Sequence, residues 1–213
     1  VRILRAVAAG NAPDRILVEH TTRCLEAHGH TVGILEMPAP PESARGIRFG
    51  PMPAPTRVAE NGPWDLVEIP QDCIAGLDCA PDWLPVVVRA TTLLGTEWEF
   101  RVRSEDTYRL LPGWWERLRF PGKVLRPWAD ALRAARVVFC SNPTDRTYLI
   151  ERIGIPEARI VEIGAGTDDN QFGCGEHRLS EGTLPRLLWM GPWTQRRGAE
   201  SIVNAFRLLR AEF

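Results

Sequence analysis

The stretch from Arg2 to Met37 limits the fold most tightly. "RILRAVA" (Arg2–Ala8) is a short apolar run of the kind that forms a buried strand. "RILVEHTTRCLEAHGH" follows with helical spacing: Leu17, Cys24 (or Thr21), Leu25 and His28 lie near one face, and Gly29 stands as a C-cap glycine. "TVGILEM" (Thr31–Met37) is a second strand. Two strands joined through a helix form a βαβ unit and lie parallel, because a tight hairpin cannot return the chain in the same direction. A parallel sheet needs cover on both faces, so the remaining chain must supply further strands and helices.

It does so in regular alternation. "WDLVEI" (Trp64–Ile69), "PVVVRAT" (Pro85–Thr91), "RVVFCSN" (Arg136–Asn142) and "RIVEI" (Arg159–Ile163) read as strands. The continuous β-branched run of "PVVVRAT" predicts burial on both faces. Residues 38–63 are rich in Pro and Gly and read as a loop. Between Thr92 and Pro127 short helices are expected, since Pro112, Pro121 and Pro127 would interrupt a long one. "WADALRAA" is helical, and "NPTDRTYLIERIG" is a marked helix with Asn142 as N-cap, Pro143 in the first turn and Gly154 at the end. The pattern predicts a doubly wound, Rossmann-like α/β domain ending near Ile163. A glycine-rich polar connector then leads to "LLWMGPWTQRRGAESIVNAFRLL", which reads as strand, basic loop and amphipathic helix. Ile202, Phe206 and Leu209 form its core-facing stripe. One strand and one helix cannot close a core, so this tail is expected to pack on the first domain or to move.

Composition excludes some classes. The formal net charge of the 213 residues is -1, which gives no bulk attraction to nucleic acid or to anionic membrane. No apolar run is long enough to span a bilayer and no signal-peptide pattern opens the chain, so the cytoplasm is the expected compartment. The five cysteines (Cys24, Cys73, Cys79, Cys140 and Cys174) form no CxxC pair, and no His is read at ligand spacing from them. Reduced, mostly buried thiols and no metal are expected.

Several segments together resemble the family-4 glycosyltransferases of GT-B architecture. "LEAHGHTVGIL" is similar to that family's R-G-H-E-V-x-V-L passage, and "WDLVEIPQ" and "PVVVRAT" to its middle strands. "ADALRAARVVFCSNPTDRTYLIERIGIPEARIVEIGAGTDDNQF" resembles its A-D-x-V-x-x-x-S … G-x-P-x-x-K-I-x-V-I-x-N-G-V-D-x-x-x-F segment. "LLWMGPWTQRRGAESIVNAFRLL" resembles its L-x-x-V-G-R-x-x-x-x-K-G-x-x-x-L-I-x-A-F segment. The likeness is specific from Ala129 to Leu209 and diffuse before that.

The resemblance implies that residues 1–165 form the acceptor-side domain, 166–184 an interdomain linker, and 185–213 the first βα unit of the domain that binds a nucleotide-sugar. The rest of that domain, with the family's Glu-x7-Glu motif, would lie beyond Phe213, so this chain alone is expected to turn over little or no donor. It also implies retention of configuration, no metal, and a nucleotide-sugar that is substrate rather than cofactor. Arg197 falls where the family has its phosphate-binding Lys, just before Gly198; Gly191 ends the strand, and Arg196 stands beside Arg197. A cation and backbone N–H groups at a helix start suit the negative charge of a departing diphosphate. Pro192 replaces the family's Arg after the strand glycine and brings neither charge nor N–H. In the linker, Ala165-Gly166-Thr167-Asp168 stands for the family's N-G-V-D; Gly166 suits a left-handed turn and Asp168 an anchor.

In open α/β sheets ligands sit at the carboxyl ends of the strands. Those ends are Gly10 and Asn11 after the first strand, Thr91 and Thr92 after the fourth, and Ser141 and Asn142 after the fifth. Gly10, Asn11, Thr91 and Thr92 are the cleft candidates, and Glu97 and Glu99 are candidates for acceptor contacts or else a solvated face. Many family members carry a His after the fourth strand; "RATTLLGTEWEF" has none, and a Thr hydroxyl is a poor base near neutral pH. No catalytic residue is assigned. Trp98, Trp114 and Trp115 could stack on a sugar or belong to the core. The Arg-rich surroundings of these tryptophans could touch an anionic acceptor or a membrane surface, although an exposed mixed-charge helix pair is the preferred reading. The acceptor is unspecified. The competing function is a non-catalytic α/β module that binds a ligand or partner, or the remnant of a decayed gene. A dinucleotide enzyme is disfavoured because no G-x-G-x-x-G follows the first strand.

Overall fold

The computed structural model describes residues 1–8, 12–37, 58, 60, 62–74, 83–91, 93–103, 119–164 and 198–212. The chain divides into two units, Val1–Gly164 and Ala165–Phe213. The first unit is α/β. Its strands are β1 (Arg2–Ala8), β2 (Thr31–Met37), β3 (Leu66–Pro70), β4 (Val86–Ala90), β5 (Val137–Cys140) and β6 (Ile160–Glu162). All pair in parallel, in the order β2-β1-β3-β4-β5-β6. The helices are α1 (Ala12–Ala27), α2 (Leu94–Arg103), α3 (Arg126–Ala134) and α4 (Pro143–Tyr148). A further helix, α5 (Ala199–Glu212), lies in the second unit. The six-stranded parallel sheet with its connecting helices is Rossmann-like.

One face of the sheet is apolar. Register puts Leu4 beside Val67 and Val67 beside Val86, while Val88 pairs with Val138, and all of these are buried. On this face α3 contributes Trp128, Ala129, Ala131 and Leu132, a one-sided stripe that explains why "WADALRAA" folds as an amphipathic helix. At the β2 end, Gly33 pairs with Leu4 and is covered by the Trp64 ring. A Cβ at Gly33 would fall inside the van der Waals envelope of that ring.

The opposite face holds charge. Arg5 and Glu68 are neighbours in the β1–β3 register, and both are buried. Arg5 donates from Nε to Glu68 Oε2 at 2.8 Å and from Nη2 to Oε1 at 2.9 Å. Its Nη1 reaches α1, where it donates to the Val18 carbonyl (3.1 Å), Thr21 Oγ1 (2.5 Å) and Thr22 Oγ1 (3.2 Å). Arg89 of β4 adds an ion pair to Glu68 Oε1 at 2.9 Å. This two-pronged fork is the geometry guanidinium and carboxylate share.

The fork turns α1 differently from the apolar spacing. Val18 and Thr22 are the buried positions; Leu17, Thr21 and Leu25 are half-buried, while Cys24 and His28 are exposed. Of the expected face, the Leu17, Thr21 and Leu25 line is half-buried, while the variant through Cys24 and His28 is corrected, because Arg5 needs acceptors and draws the Val18–Thr22 turn onto the sheet. Expected burial of β4 on both faces is also corrected: Val86, Val88 and Ala90 are buried, but Val87 and Arg89 only partly.

Pro121 and Pro127 do not end their helix. A π turn, Pro121–Leu125, runs directly into α3, and the Arg126 N–H bonds to the Pro121 carbonyl. The wider turn shifts the hydrogen-bond register where Pro127, lacking an N–H, could not keep it. A second π turn, Leu149–Ile153, extends α4 and closes at Gly154, whose φ of 78° is the left-handed conformation expected of a glycine stop. The helix ends are tied to each other. Arg133 Nε donates to the Ile153 carbonyl at 2.7 Å, while Arg159 Nη2 donates to the carbonyls of Arg133 (2.6 Å) and Ala135.

In the second unit α5 is the sole described element. Ile202, Phe206 and Leu209 are 41%, 51% and 47% exposed, so the expected core-facing stripe is not buried. Among the described residues no helix is long and apolar enough to cross a membrane.

Two substitutions test this packing. Gly33→Ala is expected to cost about 1–3 kcal/mol and to shift tryptophan emission as Trp64 moves; chemical denaturation followed by fluorescence measures both. Glu68→Gln leaves the buried Arg5 guanidinium and the partly buried Arg89 guanidinium without their shared anion and is expected to cost about 3–5 kcal/mol, read from the same denaturation midpoint.

Candidate functional site

The strand order changes direction between β1 and β3, since the chain first steps outward to β2 and then back across. In open parallel sheets such a switch point leaves a crevice at the carboxyl ends of the strands, where ligands are received. That edge is lined by the residues that follow Pro70, Ala90 and Cys140.

Three polar ties shape it. After β3 the chain enters a short turn, Gln71–Cys73, and Gln71 Oε1 accepts from the Leu94 N–H at 3.1 Å, satisfying one donor at the start of α2. After β4, Thr91 is exposed, and its carbonyl accepts from Ser141 Oγ at 3.1 Å. After β5, Asn142 has extended backbone and caps α4, its Oδ1 accepting from the Asp145 N–H at 2.8 Å. Asp145 is buried. Its carboxylate accepts from Asn142 Nδ2 (2.8 Å) and from Thr96 Oγ1 of α2 (3.0 Å). A carboxylate so occupied joins two helices and holds their shape; it is not poised to react.

Close packing completes the frame. Gly95 of α2 lies against the Tyr148 ring, which any side chain at Gly95 would overlap. Burial pushes the Tyr148 phenol up, with the nearby Glu99 charge acting in the same direction and Arg152 opposing. Trp98 is buried and stacks on Phe120 with ring centroids 4.2 Å apart. It therefore belongs to the packing of α2, not to an open stacking surface.

Of the cleft candidates, Thr91 is at the edge and exposed, and Glu97 is half-buried in the first turn of α2. Gly10, Asn11 and Thr92 lie outside the described residues, as do Trp114 and Trp115. Of the phosphate set, Gly198 is described: its φ is 80°, and its carbonyl accepts from the Ile202 N–H at 2.9 Å, so it opens α5. Gly191, Arg196, Arg197 and Pro192 lie outside the described residues, as do the linker positions Gly166 and Asp168. The sequence reading missed Gln71, Thr96 and Asp145. For Asp145 a signal existed, since an acid three residues after the N-cap Asn142 completes a capping pattern.

Cys140 ends β5 at this edge. Burial pushes its thiol up, and the negative charges of Glu162 and Asp145 push the same way. Cys73 is buried too, whereas Cys24 is exposed. Among the described residues no group of three or more His, Cys, Asp or Glu side chains is arranged to hold a metal.

No protein-family model matches the chain, and no curated protein matches it significantly.

A thiol-labelling experiment tests the description of the edge. A neutral alkylating reagent at pH 7.5 is expected to modify Cys24 quickly and Cys140 and Cys73 only on unfolding, as read by peptide mass spectrometry. Fast native labelling of Cys140 would contradict the closed packing described here.

Proposed function

We propose that the chain is the acceptor-side domain, with the opening of the donor-side domain, of a GT-B nucleotide-sugar glycosyltransferase. The observation that carries this reading is "LLWMGPWTQRRGAESIVNAFRLL", in which paired arginines immediately precede a helix that opens at Gly198. The parallel α/β unit that ends at Gly164 is compatible with an acceptor-side domain.

The chemistry follows from charge. When the bond from sugar to diphosphate breaks, negative charge grows on the departing phosphate. Groups that bind this charge more tightly in the transition state than in the ground state accelerate the transfer. Arg197 would supply a planar guanidinium able to bond two phosphate oxygens, and the N–H groups at the start of α5 would add their dipoles. The acceptor would lie at the carboxyl edge near Thr91 and Glu97. Pro192, and the lack of His after β4, favour the second reading, a ligand-binding α/β module without catalysis.

Thermal shift with a panel of nucleoside diphosphates and nucleotide-sugars tests the proposal. At about 100 times Kd a bound member adds roughly 2.7 kcal/mol to folded-state stability, a readily measured rise in Tm. Arg197→Gln is expected to remove that shift and leave the unliganded Tm unchanged. A panel that moves nothing, or an equal shift in Arg197→Gln, would overturn the phosphate role. Binding without sugar transfer by a frame that encodes the complete donor domain would favour the second reading.

A further inference from the structure

The helical geometry of α1 brings a cysteine and a histidine together. Cys24 and His28 are four residues apart, and four residues is about one turn, so the two stand over each other on the same side of the helix. Both are exposed, and Cys24 is a free thiol. His28 continues the helical bonding, its N–H reaching the Cys24 carbonyl at 3.2 Å. Its ring is directed back along the same turn, with Nδ1 2.7 Å from that carbonyl oxygen. A carbonyl can only accept, so this contact puts a proton on Nδ1; in the neutral form of the ring the lone pair is then on Nε2. A metal-binding histidine is commonly set this way, with one nitrogen held by a backbone carbonyl and the other left to bind.

We propose that Cys24 and His28 form a two-ligand surface site for a borderline-soft divalent ion of the zinc class, with water completing the coordination. Thiolate and imidazole are the donors such ions prefer over hard oxygen-binding cations. Binding releases the thiol proton to solvent and leaves sulfur as a coordinated thiolate; no electron moves. The site lies on the outward side of α1, away from the Val18–Thr22 turn that seats the helix on the sheet. It is independent of the glycosyltransferase reading.

Cobalt(II) is the spectroscopic probe and zinc the competitor, used on the full reduced chain. Cobalt is expected to give a near-ultraviolet thiolate charge-transfer band that zinc abolishes. Zinc is expected to slow alkylation of Cys24, read on its own peptide, by about tenfold or more. Reading that peptide separates Cys24 from Cys79 and Cys174. Cys24→Ser should remove the band and His28→Ala should remove zinc protection, while His20→Ala, one turn in the other direction, should keep both. Circular dichroism of each variant confirms that α1 is intact, as expected for exposed positions. Absence of the band, zinc protection that survives His28→Ala, or protection lost in His20→Ala would each overturn the site.

Discussion

Glu68 is the residue on which the centre of the sheet depends. A carboxylate in the middle of a buried parallel strand is costly unless its charge is met, and here guanidinium groups from both neighbouring strands meet it. The interaction crosses β1, β3 and β4, and through Arg5 it also reaches the backbone and two hydroxyls of α1. One ionic cluster thus helps set strand neighbours and helix rotation together. Apolar contacts alone would leave α1 freer to roll, since its outward and inward sides differ little in character.

The carboxyl edge follows a similar logic with neutral and singly charged groups. Gln71, Ser141 and Asn142 each bond backbone atoms near the strand ends, and Asp145 joins the first turns of α2 and α4. The polar residues at this edge hold loops in place, and Thr91 remains the exposed hydroxyl at the end of β4. A ligand at the crevice would meet a shaped rim whose scaffold does not consist of its reacting groups.

Much of the fold was legible because its signals were local. Strand runs, the Asn142–Pro143 start and the Gly154 stop each depend on a few adjacent residues, and their order implied parallel pairing. What escaped was non-local. Arg5, Glu68 and Arg89 are far apart in the chain, and each by itself looks like a stray charge in an apolar run; only strand register brings them together. The same holds for Thr96 and Asp145. Proline rules also misled at Pro121 and Pro127, because a π turn offered a way through that a count of helix breakers does not include. Of the basic loop, Arg196 and Arg197 lie outside the described residues, and Gly198, which opens α5, is described.

The paired arginines at the helix ends have a consequence for how the molecule opens. β6 has three residues and one sheet neighbour, the profile of an edge that frays alone. Yet Arg159, immediately before it, holds the final carbonyls of α3, and Arg133 of α3 holds the end of the turn that follows α4. Detaching the edge strand together with Arg159 would take this partner from the last carbonyls of α3. The edge strand is thus anchored through Arg159 to the end of α3 as well as through its ladder to β5.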